Sequence, residues 1–425
     1  MRKIFLQIGA TRDGQNPYCA VAKRDGYFTV LAEMGDFVDY QSLSIPLPFD
    51  LIVRLDRPEN PWDVLQACLH AGLMEHPHVV LAGFEAYNAS AGRVRELLAG
   101  PDAGASFIPP DKYAQRMALR KAWQRFPQPE FRFFASPLSI RDARDALLYP
   151  CVIKPVDGGG GLGVWLVKQA SQLDAVIGKL VDTMNYGGRG FSGFIVESWL
   201  AGDEYSLQGV VADGHAVALT CCQKVIEHHS DADGCVSFYE SGHVAVAAQQ
   251  LPASFSSLMS FCCETFGYRQ GAFHIDFILV NGEPHFLEMG FRLSGMGVVN
   301  LVQEVTGINW AEVAFHIEAG HGMPPLHFPA QPQAVGRVRL RQRLQYDAAE
   351  RWIAQHQRGQ LLPPLNLPAL AVSPRSSLYA DLTRHAGILA TLRLAATSRD
   401  DILAVFHQIL EASSLTIRRD LLCAE

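Results

Sequence analysis

Residues Asp157 to Gly163 read DGGGGLG, with five glycines in the six positions 158–163. Glycine loses more backbone freedom on folding than any other residue, so such a run is costly to order without a ligand. Its physical use is close approach of backbone N–H groups to phosphate. A dinucleotide loop or a P-loop opens a helix. Here the glycines are followed by Val164-Trp165-Leu166-Val167, which reads as a strand, and no GK[ST] follows. Cys151 to Pro155 (CVIKP) reads as the strand before them. The run is therefore a flap between two strands, with Lys154 at its entrance as a point charge able to reach a phosphate. A protein-kinase loop also lies between strands, but its lysine follows the glycines and it needs HRD and DFG motifs, which are absent. The alternative is a flexible hairpin tip beside a surface lysine.

A second constraint is Gly271 to Gly297, GAFHIDFILVNGEPHFLEMGFRLSGMG, where Asp276 and Glu288 sit inside apolar strands. A buried carboxylate without a partner is expensive, so a metal or a basic group is implied. Strand side chains alternate faces. A two-residue Asn281-Gly282 loop would pair Asp276 with Leu287 and leave Glu288 on the other face. A three-residue loop, Val280-Asn281-Gly282, pairs His274 with Glu288 and brings Asp276 to the same face. The three-residue loop is expected if both carboxylates serve one site, where they suit a hard cation such as Mg²⁺ on nucleotide phosphates. Arg292 follows where the strand gives way to a Gly/Ser-rich loop, placed to clamp a phosphoryl group or a carboxylate. The alternative is an ordinary hairpin with a Glu288–Arg292 salt bridge.

Around these motifs the chain has organisation. Ile4 to Ile8, Phe28 to Leu31, Asp50 to Arg54 and Val79 to Ala82 read as strands alternating with helical patterns, which predicts a parallel α/β unit. Asp111 to Phe126, Ser139 to Leu147, Ser171 to Met184 (with Ser171 as cap) and Ser254 to Phe266 read as helices. Phe194 to Glu197 and Glu204 to Ala212 read as strands, and Asp213-Gly214 turns into Ala216 to Thr220. Cys222 to His243 reads as loop-rich, with His228, His229, Asp231 and Asp233 in a solvated segment rather than a metal cluster. Proline-rich Met323 to Pro332 leads to a small α/β or β-rich appendage, in which Arg337 to Arg343 is a strand with one solvated face. The boundaries predicted are 1–110, 111–200, 201–325 and 326–425.

The 425 residues, 48% hydrophobic and 19% charged, suit several packed subdomains, and a formal charge of −7 argues against a nucleic-acid binder. Nine cysteines without CxxC, and no HExxH, read as free thiols in a reducing compartment. The first apolar stretch is too short for a signal peptide and none reaches membrane-spanning length, so a soluble cytoplasmic protein is expected.

The set formed by Lys112, VIKP at Val152 to Pro155, the glycine loop, FIVESWLAGDEYS at Phe194 to Ser206 and HIDFILVNGEPHFLEMGFR resembles the ATP-grasp superfamily over Asp111 to Gly297. The resemblance implies an N-terminal parallel α/β domain, a central glycine-flap domain and a C-terminal catalytic domain, here with an appended subdomain. It implies ATP and Mg²⁺, or Mn²⁺, as cofactors. Lys112, Lys154, Gly159, Gly160 and Gly161 would contact ATP; Glu197, Ser198, Trp199 and Leu200 would read the adenine; Glu204 would bind ribose; Phe277 and Leu287 would also line the nucleotide site. Asp276 and Glu288 would hold the metal, Arg292 would stabilise an acyl phosphate, and His243 would lie near it. Gly290 stands where many members carry Asn, leaving one metal ligand missing or supplied by water. E-x-x-x-R followed by a Gly-rich turn is most similar to L-amino-acid ligases, which make dipeptides, and implies that Ser294, Gly295 and Met296 line the substrate pocket. Small-molecule carboxylate and amine substrates, a homodimer, and neither nucleic-acid nor membrane partners are expected. Bicarbonate, formate or a non-amino-acid acyl donor are the competing substrates.

Overall fold

The computed structural model describes residues 2–12, 14–43, 46–100, 111–122, 126–186, 188–364, 378 and 387–422, with side chains to 412. The chain begins β1 (Ile4–Ile8), α1 (Pro17–Arg24), β2 (Phe28–Met34), α2 (Gly35–Ser42), β3 (Leu51–Leu55), α3 (Pro61–His70), β4 (Val79–Ala82), α4 (Asn88–Ala99). The four strands form a parallel sheet in the order β3-β2-β1-β4. Its apolar runs are continuous because both faces are covered. Ile4, Leu6 and Ile8 enter one core, while Phe5 enters another that also holds Trp310 and Phe315.

The chain continues as α5 (Lys112–Lys121), β5 (Phe131–Phe134), α6 (Pro137–Asp142), β6 (Cys151–Pro155), β7 (Trp165–Val167), α7 (Leu173–Asp182) and β8 (Phe194–Ser198). Asp111 caps α5 by accepting from the Ala114 N–H at 2.9 Å. The helix expected to reach Phe126 stops at Lys121, and residues 123–125 of that expectation lie outside the described residues. Helix α6 starts earlier than expected because Ser136 caps it, with Pro137 in the first turn. Ser171 does not cap α7; it lies in a 3₁₀ turn, Ala170–Gln172, that precedes the helix.

Next come β9 (Asp203–Ala212), β10 (His215–Ser230), β11 (Val236–Ala247), α8 (Ala253–Phe266), β12 (Gly271–Val280), β13 (Glu283–Gly290), α9 (Val298–Thr306) and α10 (Trp310–Glu318). The chain ends in β14 (Ala334–Leu340), α11 (Arg343–His356), β15 (Gln360–Leu362), β16 (Ala390–Ala396) and α12 (Arg399–Leu422). The expectation of a loop-rich Cys222 to His243 is overturned, since most of it is the long β10–β11 hairpin. His228 and His229 are on its strands, and Asp231 and Asp233 at its tip pair with Lys179 of α7 at 3.1 and 2.9 Å.

These strands form one sheet in the order β13-β12-β9-β10-β11-β7-β6-β8-β5. Strand β11 forks: Val236 and Ser237 pair with β7, while Gly242 to Ala245 pair with β14, which carries β16. The flap strands and the appended strands therefore hang from one strand. Trp310 joins the layers, fully buried and donating its indole N–H to Gly209 O at 2.9 Å. Among the described residues no helix is long and apolar enough to cross a membrane.

Candidate active site

A cavity of about 770 Å³ lies between the carboxyl end of β4, the glycine loop and the β12–β13 hairpin. Gly158 to Gly161 line it. Gly160, Gly161 and Gly163 have φ of 60°, 79° and 73°, where other residues are strained, so the loop's path requires glycine there. The loop closes on itself through Leu162 N–H to Gly159 O (3.2 Å) and Val164 N–H to Gly161 O (3.1 Å).

The hairpin departs from expectation at its turn. Val280 pairs with Glu283, so the loop has two residues, and Asn281 (φ 52°) and Gly282 (φ 83°) both take the left-handed conformation that tight hairpins favour. The expected three-residue loop, and the pairing of His274 with Glu288, are not found. The register instead slips at a bulge: Phe277 pairs with Phe286 but Asp276 with Glu288, leaving Leu287 as the extra residue. The slip restores both carboxylates to one face, and Leu287 and Glu288 both line the cavity. Phe277 does not. It is fully buried on the other face, stacked on Tyr205 with centroids 5.6 Å apart, and Ile278 lines the cavity. Helix α5 closes the open edge of β13. Gln115 bonds both the N–H and C=O of Met289 at 2.9 Å, and Arg116 Nε donates to Leu287 O at 2.8 Å.

Cations and carboxylates alternate across the cavity. Lys154 pairs with one oxygen of Glu197, and Arg116 Nη2 donates to the other at 2.9 Å. Burial would raise the Glu197 carboxyl, but Lys154 and Arg116 bring it below its usual value. Glu197, with both carboxylate oxygens held, lines the cavity together with Ser198, Trp199 and Leu200. Lys112 Nζ lies 2.7 Å from Glu288 Oε2 and donates to Gly158 O at 2.6 Å. Burial opposes ionisation of Glu288, yet Lys112, helped by Lys224 and Lys154, lowers it to about 2.

Lys224 of β10 escaped the sequence reading. Its ammonium sits 2.6 Å from Glu204, 2.5 Å from Asp276 and 3.5 Å from Glu240. Burial would lower it, but the three carboxylates hold it well above its usual range. Burial raises Glu204 in turn, against Lys224. Ser206 donates to Asp276 Oδ1 at 2.6 Å, and His243 Nε2 lies 3.1 Å from Glu240. A lone lysine in the apolar run Cys221–Ile226 was the available signal. Glu85, also missed, follows β4 and pairs with Arg292 Nη2 at 2.6 Å; a carboxylate at the carboxyl end of a parallel strand is a place to look for ligand contacts. The alternative Glu288–Arg292 bridge is not formed, because each has another partner. Ser294, Gly295 and Met296 line the same cavity. Opposite His274 lies Gly290, where a Cβ would fall 2.1 Å from the imidazole Cε1, so His274 fills the side-chain space at 290.

Asp276 and Glu288 offer only oxygens from one face, which fits a hard cation that takes its other ligands from phosphate and water. Among the described residues no group of three or more His, Cys, Asp or Glu is arranged to hold a metal by itself. Eight described cysteines are buried free thiols.

Residues 110–296 match the ATP-grasp domain family. The chain is 27% identical over 199 residues to a formate-dependent phosphoribosylglycinamide formyltransferase of Pectobacterium carotovorum, covering 47% of each chain. It is 23% identical over 162 residues to dapdiamide A synthase of Enterobacter agglomerans, covering 37% of each. The matched stretches thus span about half, or less, of these relatives. An L-amino acid ligase structure from Bacillus licheniformis superposes with a TM-score of 0.68 at 18% identity, over 97% of this chain and 98% of that one, a likeness of fold. The stretch that holds the flap, Lys154, Asp276, Glu288 and Arg292 is the one that matches the ATP-grasp domain family.

Proposed function

We propose that the protein is an ATP-dependent carboxylate–amine ligase that joins a carboxylate to an amine, most simply two amino acids, releasing ADP and phosphate. The observation that carries this reading is one cavity in which Asp276 and Glu288 share a face, each neutralised by a lysine, with Arg292 and the glycine flap around them. In the reaction proposed, an oxygen of the substrate carboxylate bonds to the γ-phosphorus of ATP as the bond to ADP breaks. The amine then bonds to the carbonyl carbon, phosphate leaves, and the amine loses a proton.

Asp276 and Glu288 would hold Mg²⁺, which when bound supplies charge neutralisation to the phosphates. Lys112 and Lys154 add fixed positive charge beside the flap, and Arg292 holds the carboxylate being activated. The flap, once closed, excludes water that would hydrolyse an activated acyl group. Glu197 orients Lys154 while its own backbone, with that of Ser198 to Leu200, meets the adenine edge.

The names of the amino acid ligase and of dapdiamide A synthase support an amino acid as partner. The formyltransferase relative supports a second reading, formate as the acid. The test is ADP release with pairs of amino acids, and with formate or bicarbonate, followed by mass analysis. Amino-acid-dependent ADP release with a dipeptide product is expected. Release only with formate or bicarbonate favours the second reading, and release with no acid overturns both.

A further inference from the structure

Arg292 and Glu85 approach the cavity from different sheets, one after β13 and the other after β4, and meet at 2.6 Å with side chains each 19% exposed. The three nitrogens of the guanidinium are unequally engaged. Nη1 donates to Leu293 O at 2.7 Å and Nη2 to Glu85. Buried Nε has no partner among the described residues. Nε and Nη2 form the edge on which a carboxylate takes two parallel hydrogen bonds, the strongest arrangement for this pair. Glu85 therefore holds one point of a two-point fork and leaves the other empty.

A substrate carboxylate that takes both points must displace Glu85 from Nη2. The displaced Glu85 stays beside the substrate as a poorly solvated carboxylate, which is unfavourable unless a cation replaces Arg292. We propose that this cation is the α-ammonium of an amino acid, and that Glu85 is the residue that selects an α-amino acid over a plain carboxylic acid. An α-amino acid carries both charges within two bonds of one carbon, so it can lie between the separated partners and satisfy each. A plain acid fills the fork and strands Glu85. Tyr18, Ala89, Met296 and Val299 line the same cavity and offer apolar surface for a side chain. The inference rests on the ligase reading, in which Arg292 receives the substrate carboxylate.

The test compares kcat/KM for ADP release with L-alanine and with propionate, and with L-leucine and 4-methylpentanoate, each in the presence of an acceptor amine. Wild-type protein is expected to prefer the amino acid. Glu85→Gln is expected to lower the amino-acid to des-amino ratio by about 30-fold, as for loss of one partner of a hydrogen-bonded charge pair, and Glu85→Asp to retain part of the ratio. An unchanged ratio in Glu85→Gln, including an equal rise or fall with both acids, overturns the assignment and leaves the ligase reading standing. Absence of acid-dependent ADP release in the wild type overturns the ligase reading and this inference with it.

Discussion

Three carboxylates converge on the ammonium of Lys224, and Asp276 among them also has a hydroxyl donor in Ser206. Lys224 is therefore what allows Glu204 and Asp276 to sit charged side by side before any cation arrives. Removing one partner of a buried ionic cluster costs about 3–5 kcal/mol, because the other charges stay buried. Lys224→Met is expected to lose about 3 kcal/mol of stability at neutral pH, read from the urea midpoint. Burial already raises the Glu204 carboxyl above 4.5 despite Lys224. Without the lysine it takes up a proton more readily, so the loss should shrink as pH falls toward 5. A loss that does not change with pH would remove this account. The lysine was hidden in the sequence because Cys222 to His243 reads as loop, so the strand alternation that puts Lys224 on the face of Glu204 and Asp276 was not visible.

At the scale of the element, the β12–β13 hairpin was half legible. Asp276 and Glu288 announced a shared site by being carboxylates in apolar strands. The means of bringing them together was not legible, since a turn of odd length and a bulge have the same consequence for side-chain faces. Asn281-Gly282 supports a two-residue turn, so the odd residue moved inward to Leu287, where Arg116 takes its carbonyl. Deleting Leu287 would make the ladder regular and leave Glu288 opposite Asp276, so it would remove the carbonyl that Arg116 takes without separating the two carboxylates. The deletion is therefore expected to keep Mg·ATP affinity within about tenfold of wild type, whereas Glu288→Gln is expected to lose at least about tenfold, near the loss seen when a metal site is disturbed, measured by calorimetry. Retained affinity in Glu288→Gln would show that Glu288 is dispensable. Gly290 belongs to the same hairpin. Gly290→Asn drives a Cβ into the His274 ring, and overpacking of this kind costs about 1–3 kcal/mol. The loss should be recovered in His274→Ala/Gly290→Asn, as thermal unfolding of the two variants would show.

Across the whole molecule, the parallel sheet, the strand–loop–strand flap and the antiparallel hairpin with its two carboxylates were readable from local patterns, because each is set by residues close in sequence. What joins them was not. Helix α5 clamps the edge of β13, β11 carries both the flap and the appended strands, and Lys112 reaches Glu288 from 176 residues away. That last pair ties the start of the ATP-grasp stretch to its end, so its titration bears on how the molecule holds together. The Glu288 carboxyl lies near 2 when folded against an ordinary 4.5. A carboxyl lowered by folding stabilises fully above its unfolded value and loses that contribution as pH falls through its folded value. A shift of this size corresponds to at most about 3 kcal/mol, and to less here because the Glu288 side chain is a third exposed. Wild-type stability is therefore expected to fall between pH 4.5 and 2 more steeply than that of Lys112→Met, which lacks the ammonium that lowers Glu288. Denaturant unfolding across that range gives the comparison. Parallel curves would mean that the Lys112–Glu288 pair does not hold the two ends of the stretch together.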